Sequence, residues 1–246
     1  MFRKPTTRLE FRRQPGRYYS IDFSRFVTLC IFSCLSTVAT AQVSGSVSLV
    51  SNYVYRGVSL SNNQAEPQVS VAYDNDGGWF GGLFASRIAL PHNDSQVIGY
   101  AGYAHQVRSD LSWEAGLSDV TYPQNSGQNY AEAFVGLSSE RLNGRIYYCP
   151  NYLGQSLHSV YGEINGNYPL TPSIHLMAHV GYLVLRADDG DSHDGNRSDR
   201  RVGLGTSMGD WNFQVAVTSL SKTGGSYYYP RVFQSYGGVV NIAYGF

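Results

Sequence analysis

The chain has 246 residues, and its 18 basic and 18 acidic residues balance. Seven of the basic and two of the acidic residues lie within the first 41, so the rest of the chain carries a formal net charge of −5. An acidic chain without a basic cluster lacks the charge pattern of a nucleic-acid-binding protein, and no nucleic-acid partner is expected.

Residues 1–41 have the composition of a secretory signal peptide. Basic residues come first, then the apolar run FVTLCIFSCLSTVA, then small residues at Ala39 and Ala41. The apolar run is shorter than the roughly 20 residues that a membrane-spanning helix needs. We therefore expect cleavage after Ala41 and export by the general secretory route. The other two cysteines leave with this segment, so Cys149 has no partner for an internal disulfide.

Residues 42–246 contain twelve segments in which apolar and polar residues alternate. A period of two is typical of a strand with one apolar face. Each segment is close to the roughly 9–11 residues that a tilted strand needs to cross a bilayer. The predicted strands are 43–56, 66–75, 79–89, 96–107, 111–122, 130–140, 144–153, 160–170, 174–186, 200–208, 211–223 and 236–246.

The connections between these segments alternate between two lengths. Those after even strands are tight, as in DGG and RSD, whereas those after odd strands are longer and polar, as in GVSLSNNQA and ADDGDSHDGNRSD. Short turns at one end and long loops at the other are typical of outer-membrane barrels, whose two termini lie on the periplasmic side. A secreted β-sandwich also has many short strands, but it does not account for this alternation. We predict an all-β fold: a single transmembrane, antiparallel, up-and-down β-barrel of about twelve strands.

The last segment ends in VVNIAYGF. Its alternation places Val240, Ile242, Tyr244 and Phe246 on one face, which we expect to contact lipid. Aromatic residues are common at the membrane interface of such barrels. A terminal Phe after alternating apolar residues also resembles the signal that the barrel-assembly machinery reads. We therefore expect this machinery, outer-membrane lipid and lipopolysaccharide as partners.

Charges within the strands predict which face lines the lumen. A charge on the lipid face costs about 2–4 kcal/mol for Arg at the midplane, so strand charges should point inward. Arg56 and Glu66 flank the first long loop, where the two charges can form an ion pair. The residues predicted to line the pore or its constriction are Arg56, Glu66, Arg87, Glu114, Glu132, Arg145, Glu163 and Arg201.

Three other groups of residues invite a chemical interpretation. The acidic loop 188–196 offers oxygen ligands at alternate positions, as Ca²⁺ loops do, but lacks the bidentate Glu of an EF-hand. His175 and His179 share a strand face but lie about 13 Å apart, too far for one metal ion. Ser156 and His158 suggest a hydrolase, yet no oxyanion loop or triad carboxylate accompanies them. No catalysis, cofactor or metal site is therefore expected.

One stretch resembles a known family. The residues Tyr53, Tyr55 and Arg56, followed by Gly-Val-Ser, are similar to the N-terminal pattern of the TorF-like porin family of bacterial outer-membrane proteins. Further likenesses are TYP at 121–123, NYAEAFVGLS, YYCPNY and HVGY. The resemblance extends over essentially all of residues 42–246, and it implies a porin in the outer membrane.

These observations predict a passive diffusion channel for small polar solutes or ions. Opposed charges in the lumen would set a field that selects solutes in such a channel. The first alternative is a non-conducting barrel with a structural or adhesive role, in which the same charges form a paired network. The second alternative is a membrane-embedded hydrolase.

Overall fold

A computed structural model describes residues 42–89, 94–187, 196–222 and 236–246. Within these residues, twelve strands form one closed barrel and two shorter strands form a separate hairpin. The predicted signal peptide lies outside the described residues. The strands are β1 (Gln42–Val50), β2 (Val54–Tyr55), β3 (Val58–Ser59), β4 (Glu66–Asp74), β5 (Trp79–Ile88), β6 (Asp94–Arg108), β7 (Leu111–Thr121), β8 (Tyr130–Ser139), β9 (Leu142–Cys149), β10 (Leu157–Pro169), β11 (Ile174–Ala187), β12 (Arg197–Met208), β13 (Trp211–Lys222) and β14 (Tyr236–Gly245).

The barrel has a simple up-and-down topology. From β4 to β14 every strand pairs antiparallel with its neighbours in the chain, and β1 closes the barrel by pairing with both β4 and β14. In the closing pair, Val47 lies opposite Tyr244 and Leu49 opposite Ile242. Closure leaves no strand edge unpaired. The predicted fold class is confirmed.

The two ends of the barrel differ in their connections. One end, called the turn end below, carries the tight connections after β4, β6, β8, β10 and β12, together with Gln42 and Phe246. The opposite end, called the loop end, carries the longer connections. The alternation of short and long connections therefore agrees with the one predicted from the sequence.

The exterior of the barrel is an apolar belt. Outward side chains along the strands are aliphatic and strongly exposed, for example Leu83, Leu117, Ile164 and Val215. In a protein surrounded only by water, so large a continuous apolar surface would be unusual. No helix in the described part of the chain has the length and apolar composition to cross a membrane.

Aromatic side chains ring the belt at the turn end. The Trp79 and Tyr103 rings are 5.3 Å apart, and Tyr103 continues to Trp113 at 6.0 Å. On the other side of the barrel, Trp211 lies 5.0 Å from Tyr244. Such a girdle is typical of the interface between hydrocarbon and polar headgroups.

The last strand faces the exterior as its alternation indicates. Val240 and Ile242 are exposed on the belt, and Tyr244 belongs to the turn-end girdle. Phe246 packs its ring over Gly45 of β1 and exchanges two backbone hydrogen bonds with that residue. The terminal Phe therefore joins the last strand to the first where the barrel closes.

The first strand ends earlier than predicted. The segment 43–56 was predicted to be one strand, in which the alternation of Val47 and Leu49 would place Tyr53 and Tyr55 on the same outward face, but β1 ends at Val50. After Val50 the chain leaves the wall and enters the barrel, where Tyr53 is only 1% exposed. Alternation no longer assigns the two faces once the chain has left the sheet, so the outward placement of both tyrosines is wrong.

Other strand boundaries shift by a few residues. β10 and β12 each begin three residues before the predicted start, while β9 ends at Cys149. A short 3-10 turn, Tyr152–Gly154, follows β9 at the loop end and buries its Tyr and Leu side chains. Residues predicted as the end of a strand thus help to fill the loop end of the lumen.

Candidate functional site in the barrel lumen

The lumen contains two connected cavities. A cavity of about 140 Å³ lies at mid-barrel. A larger cavity of about 620 Å³ occupies the turn-end half. The two cavities are adjacent, because both are lined by Tyr53, Val54, Ser70, Phe84, Glu163, His179 and Arg201. The two cavities and the side chains around them form the candidate functional site.

A hairpin inside the barrel narrows the lumen. It consists of residues 53–60, called the lumen hairpin below, and includes β2 and β3. Arg56 and Gly57 form its tip, and both have positive φ, as in the tight turns of two-residue hairpins. The base is fixed by hydrogen bonds from Leu60 N to Tyr53 O (2.8 Å) and from Ala89 N to Leu60 O (2.8 Å).

The tip of the lumen hairpin touches the barrel wall at β12 and β13. A Cβ atom added to Gly57 would lie 2.5 Å from the Asp199 Cβ atom and 2.7 Å from Leu220 Cδ1. Only glycine fits this approach, because a side chain would meet β12 and β13. The tip therefore packs against strands that lie two and three places from β1 in the barrel.

Arg56 fixes the hairpin tip through a buried ion pair. Its Nη1 and Nη2 atoms donate to the two carboxylate oxygens of Glu132, at 2.8 and 2.6 Å. The guanidinium also lies over the rings of Tyr161 (4.4 Å), Tyr147 (5.1 Å) and Tyr55 (5.1 Å). Ring faces attract cations, so the tyrosines compensate part of the desolvation of the charge. The ion pair between Arg56 and Glu66 expected from the sequence is replaced by this pair.

A second ion pair lies beside the first. Arg145 on β9 donates from Nε to Glu114 Oε1 and from Nη2 to Glu114 Oε2 (2.9 Å). On the other side of Arg145, Glu163 stands directly opposite in the β9–β10 register. The Tyr147 hydroxyl lies 3.4 Å from both Arg145 Nη1 and Glu163 Oε1. One arginine thus lies between two carboxylates.

A third cluster surrounds His179 on β11. Its Nε2 lies 2.7 Å from Asp199 Oδ1, and its Nδ1 lies 2.6 Å from Asn165 Oδ1. The Asn165 amide is oriented in turn, because its Nδ2 donates to Asn143 Oδ1 at 3.0 Å. The Tyr161 hydroxyl donates to the same Asp199 carboxylate at 3.3 Å. Asp199 is therefore fully engaged by its neighbours.

The charged side chains beside the two cavities are concentrated in one sector of the lumen wall. The three clusters lie on β7–β12 and the hairpin tip. On β1, β4, β13 and β14 the turn-end cavity is lined by uncharged residues, and those that can form hydrogen bonds include Ser46, Ser48, Gln68, Asn212, Gln214 and Asn241. A solute in this cavity meets charges on one side and amides and hydroxyls on the other.

The loop-end half of the lumen is packed with apolar and aromatic side chains. Its buried cluster includes Val58 and Leu60 from the hairpin and residues from the surrounding wall, among them Phe84, Leu183 and Leu220. Burial raises the pKa of the Tyr53 phenol well above its ordinary value, so the hydroxyl stays protonated. This hydroxyl donates to Gln96 Oε1, and Gln96 donates to Tyr122 at 2.8 Å.

The structure distributes the predicted pore residues unevenly. Arg56, Glu132, Arg145, Glu163 and Arg201 all line the mid-barrel cavity, and Glu114 is paired with Arg145 beside it. Glu66 is buried at the loop end of β4, opposite Val50.

The prediction that Arg87 lines the lumen is wrong. Arg87 is exposed and shares the outward face of β5 with Trp79 and Leu83, while Phe84 and Ile88 take the inward positions. It lies one residue from the loop end of its strand, so its long side chain can extend toward the polar interface. The cost of charge on the lipid face applies near the midplane and is small at this depth.

Several residues of the site were missed by reasoning from sequence. Asp199 was not selected, since the predicted strand began after it. Tyr55 and Tyr161, which lie beside Arg56, carried no charge to mark them. His179 was placed on the inward face, as observed, but its partners lie on β10 and β12. The predicted strand 200–208 begins three residues too late. Extending its alternation back to Arg197 would have placed Asp199 on the same inward face as Arg201.

The residues considered for other chemistry do not form a site together. His158 Nδ1 lies 2.9 Å from the Tyr148 hydroxyl, and Ser156 is exposed in the preceding turn. Cys149 is a free, buried thiol. Among the described residues no group of three potential metal ligands comes together. Residues 188–195 of the acidic loop lie outside the described residues.

A closed, antiparallel, twelve-stranded barrel with an apolar exterior is the fold that this chain shares with solved porins. A family model described as "Bacterial protein of unknown function (Gcw_chp)" matches residues 36–233, and the chain belongs to this family. No curated protein matches the chain.

Solved porin structures share the fold at low sequence identity. The KdgM porin is 12% identical with a TM-score of 0.52, and the match covers 84% of this chain and 99% of that one. The KdgM porin in complex with disordered oligogalacturonate is 13% identical with a TM-score of 0.50 and the same coverage. The NanC porin is 14% identical with a TM-score of 0.53, covering 83% of this chain and 98% of that one.

Proposed function

We propose that the protein is an outer-membrane channel through which small polar solutes or ions diffuse passively. One observation carries this proposal. A cavity of about 620 Å³, to which serine, glutamine, asparagine and charged side chains contribute, lies inside a closed barrel whose exterior is apolar. An apolar exterior fits lipid, and a lumen lined by amides, hydroxyls and charges fits hydrated solutes.

The proposed orientation follows from the two ends of the barrel. The turn end, with its aromatic girdle and both barrel termini, faces the periplasm, and the loop end faces outward. Residues 1–41 act as the export signal. Val240, Ile242, Tyr244 and Phe246 form the assembly signal, and lipid and lipopolysaccharide surround the belt. Replacing Phe246 by Ala should lower the amount of assembled barrel in outer-membrane fractions, because the contact with Gly45 is lost.

The residues around Arg56 also support a finer assignment. The stretch Tyr53–Ser59 that resembles the TorF-like porin family is the lumen hairpin itself, which narrows the passage. We propose that the chain is a TorF-like porin in which this hairpin limits the size of the solute. The porin solved with oligogalacturonate, which shares the fold, supports a small polar solute as cargo.

Single-channel recording tests the channel proposal. The protein should be expressed with its own leader in a Gram-negative host, purified from the outer membrane and inserted into a planar bilayer. We expect discrete conductance steps. Because Arg56 and Glu132 hold the hairpin across the lumen, Arg56→Ala should increase the conductance. Arg200→Ala, on the outward face of β12, should leave it unchanged and serves as the control.

The packed loop end favours a second candidate function. Its apolar cluster, which includes residues of the lumen hairpin, fills the loop-end half of the lumen. Such packing is expected for a non-conducting barrel with a structural or adhesive role. A barrel that migrates as a folded, heat-modifiable species but gives no conductance steps, even as Arg56→Ala, would support this alternative and contradict the channel.

The variant Ser156→Ala tests whether the barrel is a hydrolase. Lipid or peptide turnover by the wild type that is lost in this variant would overturn the non-enzymatic assignment.

A further inference from the structure

We infer that Arg201 is a binding site for the carboxylate of small, singly charged organic anions in the lumen. The inference deepens the channel proposal and rests on it for the access of solutes to the turn-end cavity. Arg201 lies on the inward face of β12, is half-buried and lines both cavities. A solute that moves from one cavity to the other therefore passes its guanidinium.

Among the described residues, Asp199 and Glu163 attract the charge of Arg201, but neither forms an ion pair or hydrogen bond with it. Arg56 is paired with Glu132, Arg145 with Glu114 and His179 with Asp199, whereas Arg201 forms no hydrogen bond or ion pair with a side chain in the part of the chain that the structure describes. A guanidinium carries five N–H donors. Those of Arg201 are therefore free for water or for a ligand.

The neighbouring acids are engaged elsewhere. Asp199, two residues before Arg201, accepts hydrogen bonds from Tyr161 and contacts His179. Glu163 lies two strands away, directly opposite Arg145 in the β9–β10 register. The direct cross-strand neighbours of Arg201 are His179 and Thr218, and neither is an acid. An approaching anion thus competes with no carboxylate already bound to Arg201.

The same surroundings favour a single negative charge. A planar carboxylate matches the fork of a guanidinium through two parallel hydrogen bonds. The acids Asp199 and Glu163 lie near enough to repel further negative charge, which disfavours a phosphate dianion. The uncharged wall formed by Gln214 and Asn241 can bind hydroxyl groups on the remainder of the solute.

Equilibrium binding to the full protein in detergent micelles tests this inference without requiring conduction. The probes are D-glucuronate and D-glucose, which share a sugar ring but differ in the carboxylate. We expect the protein to bind D-glucuronate at least about tenfold more tightly than D-glucose, the scale of one charge-assisted hydrogen bond. Arg201→Gln should abolish this preference, and Arg200→Gln should keep it, since Arg200 is the adjacent residue but points outward and is exposed.

A second variant guards against a folding defect. If Arg201→Gln does not give a heat-modifiable barrel, Arg201→Lys is tested in its place. Lysine keeps the charge but lacks the planar fork of the guanidinium, so the preference of this variant for D-glucuronate over D-glucose should be smaller than that of the wild type but not absent. An unchanged preference in either folded Arg201 variant would overturn the site. So would an equal loss in Arg200→Gln.

Conductance separates this inference from the channel proposal. A barrel that never conducts but binds D-glucuronate through Arg201 would refute the channel while supporting the carboxylate site. The opposite outcome is a barrel that conducts but does not depend on Arg201. If Arg201→Gln changes neither the reversal potential in a salt gradient nor the D-glucuronate affinity, the channel is supported and the carboxylate site is refuted.

Discussion

The two halves of the lumen are built from the same alternating strands but are filled in different ways. At the loop end, the lumen hairpin and the short turn after β9 bring apolar side chains into the barrel, and an apolar core results. At the turn end, the connections are tight and contribute only short segments such as Glu140 and Arg141 to the cavity lining, so a cavity remains. The connections, more than the strands, decide which half is packed and which is open.

The burial of charged side chains also differs between the two halves of the lumen. The buried pair of Arg56 and Glu132 lies where the packed half meets the open half, and the less buried Arg201 and Glu163 lie at the cavity. A charge in the packed half needs a direct partner, because water cannot reach it. A charge beside the cavity can be solvated, so it can remain available to a solute.

The largest expected effect comes from removing Arg56. Arg56→Ala leaves Glu132 buried without its partner, which should lower the free energy of unfolding by about 3–5 kcal/mol. Urea titration in lipid vesicles, followed by the fluorescence of the three tryptophans, measures the change. Arg200→Ala is the control, with an expected change within about 0.5 kcal/mol. Equal stability of the two variants would mean that the hairpin is not held by the ion pair.

A pair of substitutions on β11 compares the two halves within one strand. Leu183 is fully buried in the loop-end cluster, whereas Met177 faces the turn-end cavity. Leu183→Ala should destabilise the barrel by about 2–5 kcal/mol, since it leaves a cavity in a packed core. Met177→Ala opens onto space that is already solvated, so its effect should be clearly smaller. The same urea titration compares them, and similar losses would show that both halves are packed alike.

Two glycines with positive φ separate backbone strain from packing. Gly209 lies in a turn at the turn end with no atom within 4 Å of an added Cβ, whereas Gly57 lies against Asp199 and Leu220. Gly209→Ala should cost only the strain of the left-handed conformation, about 1–2 kcal/mol. Gly57→Ala should exceed it by about 1–3 kcal/mol, because the added methyl group overpacks the hairpin tip. If the two urea midpoints fall by equal amounts, the hairpin tip does not touch the wall.

The smallest expected effect comes from the Tyr147 hydroxyl. Tyr147→Phe removes two long hydrogen-bond contacts of 3.4 Å but keeps the ring beside Arg56. The loss should be at most about 1 kcal/mol, because each of these contacts is weak. Tyr147→Ala also removes the ring and should cost several times more in the same titration. Equal losses in the two variants would assign the stabilisation to the hydroxyl and not to the ring.

The strands could be predicted because each follows a local rule. In β13, for example, Trp211, Phe213, Val215 and Val217 alternate with polar residues, and the structure shows them on the exposed face. The same rule assigned Glu132, Arg145 and Arg201 to the interior. It was wrong at Arg87, since a charge near a strand end is tolerated on the outer face, and wrong at Tyr53, since that residue lies beyond the end of β1.

The sequence by itself determined the barrel: its strand number, the alternation of short and long connections, the apolar exterior and the inward direction of most strand charges. These properties depend on a period of two and on turn residues, which are local in the chain. Only the tertiary structure decided that the first long loop enters the lumen, that Arg56 pairs with Glu132 instead of Glu66, and that Arg201 forms no ion pair within the described part of the chain. These outcomes depend on which strands meet across the closed barrel, and residues 76 positions apart in the chain, such as Arg56 and Glu132, become neighbours only when it closes.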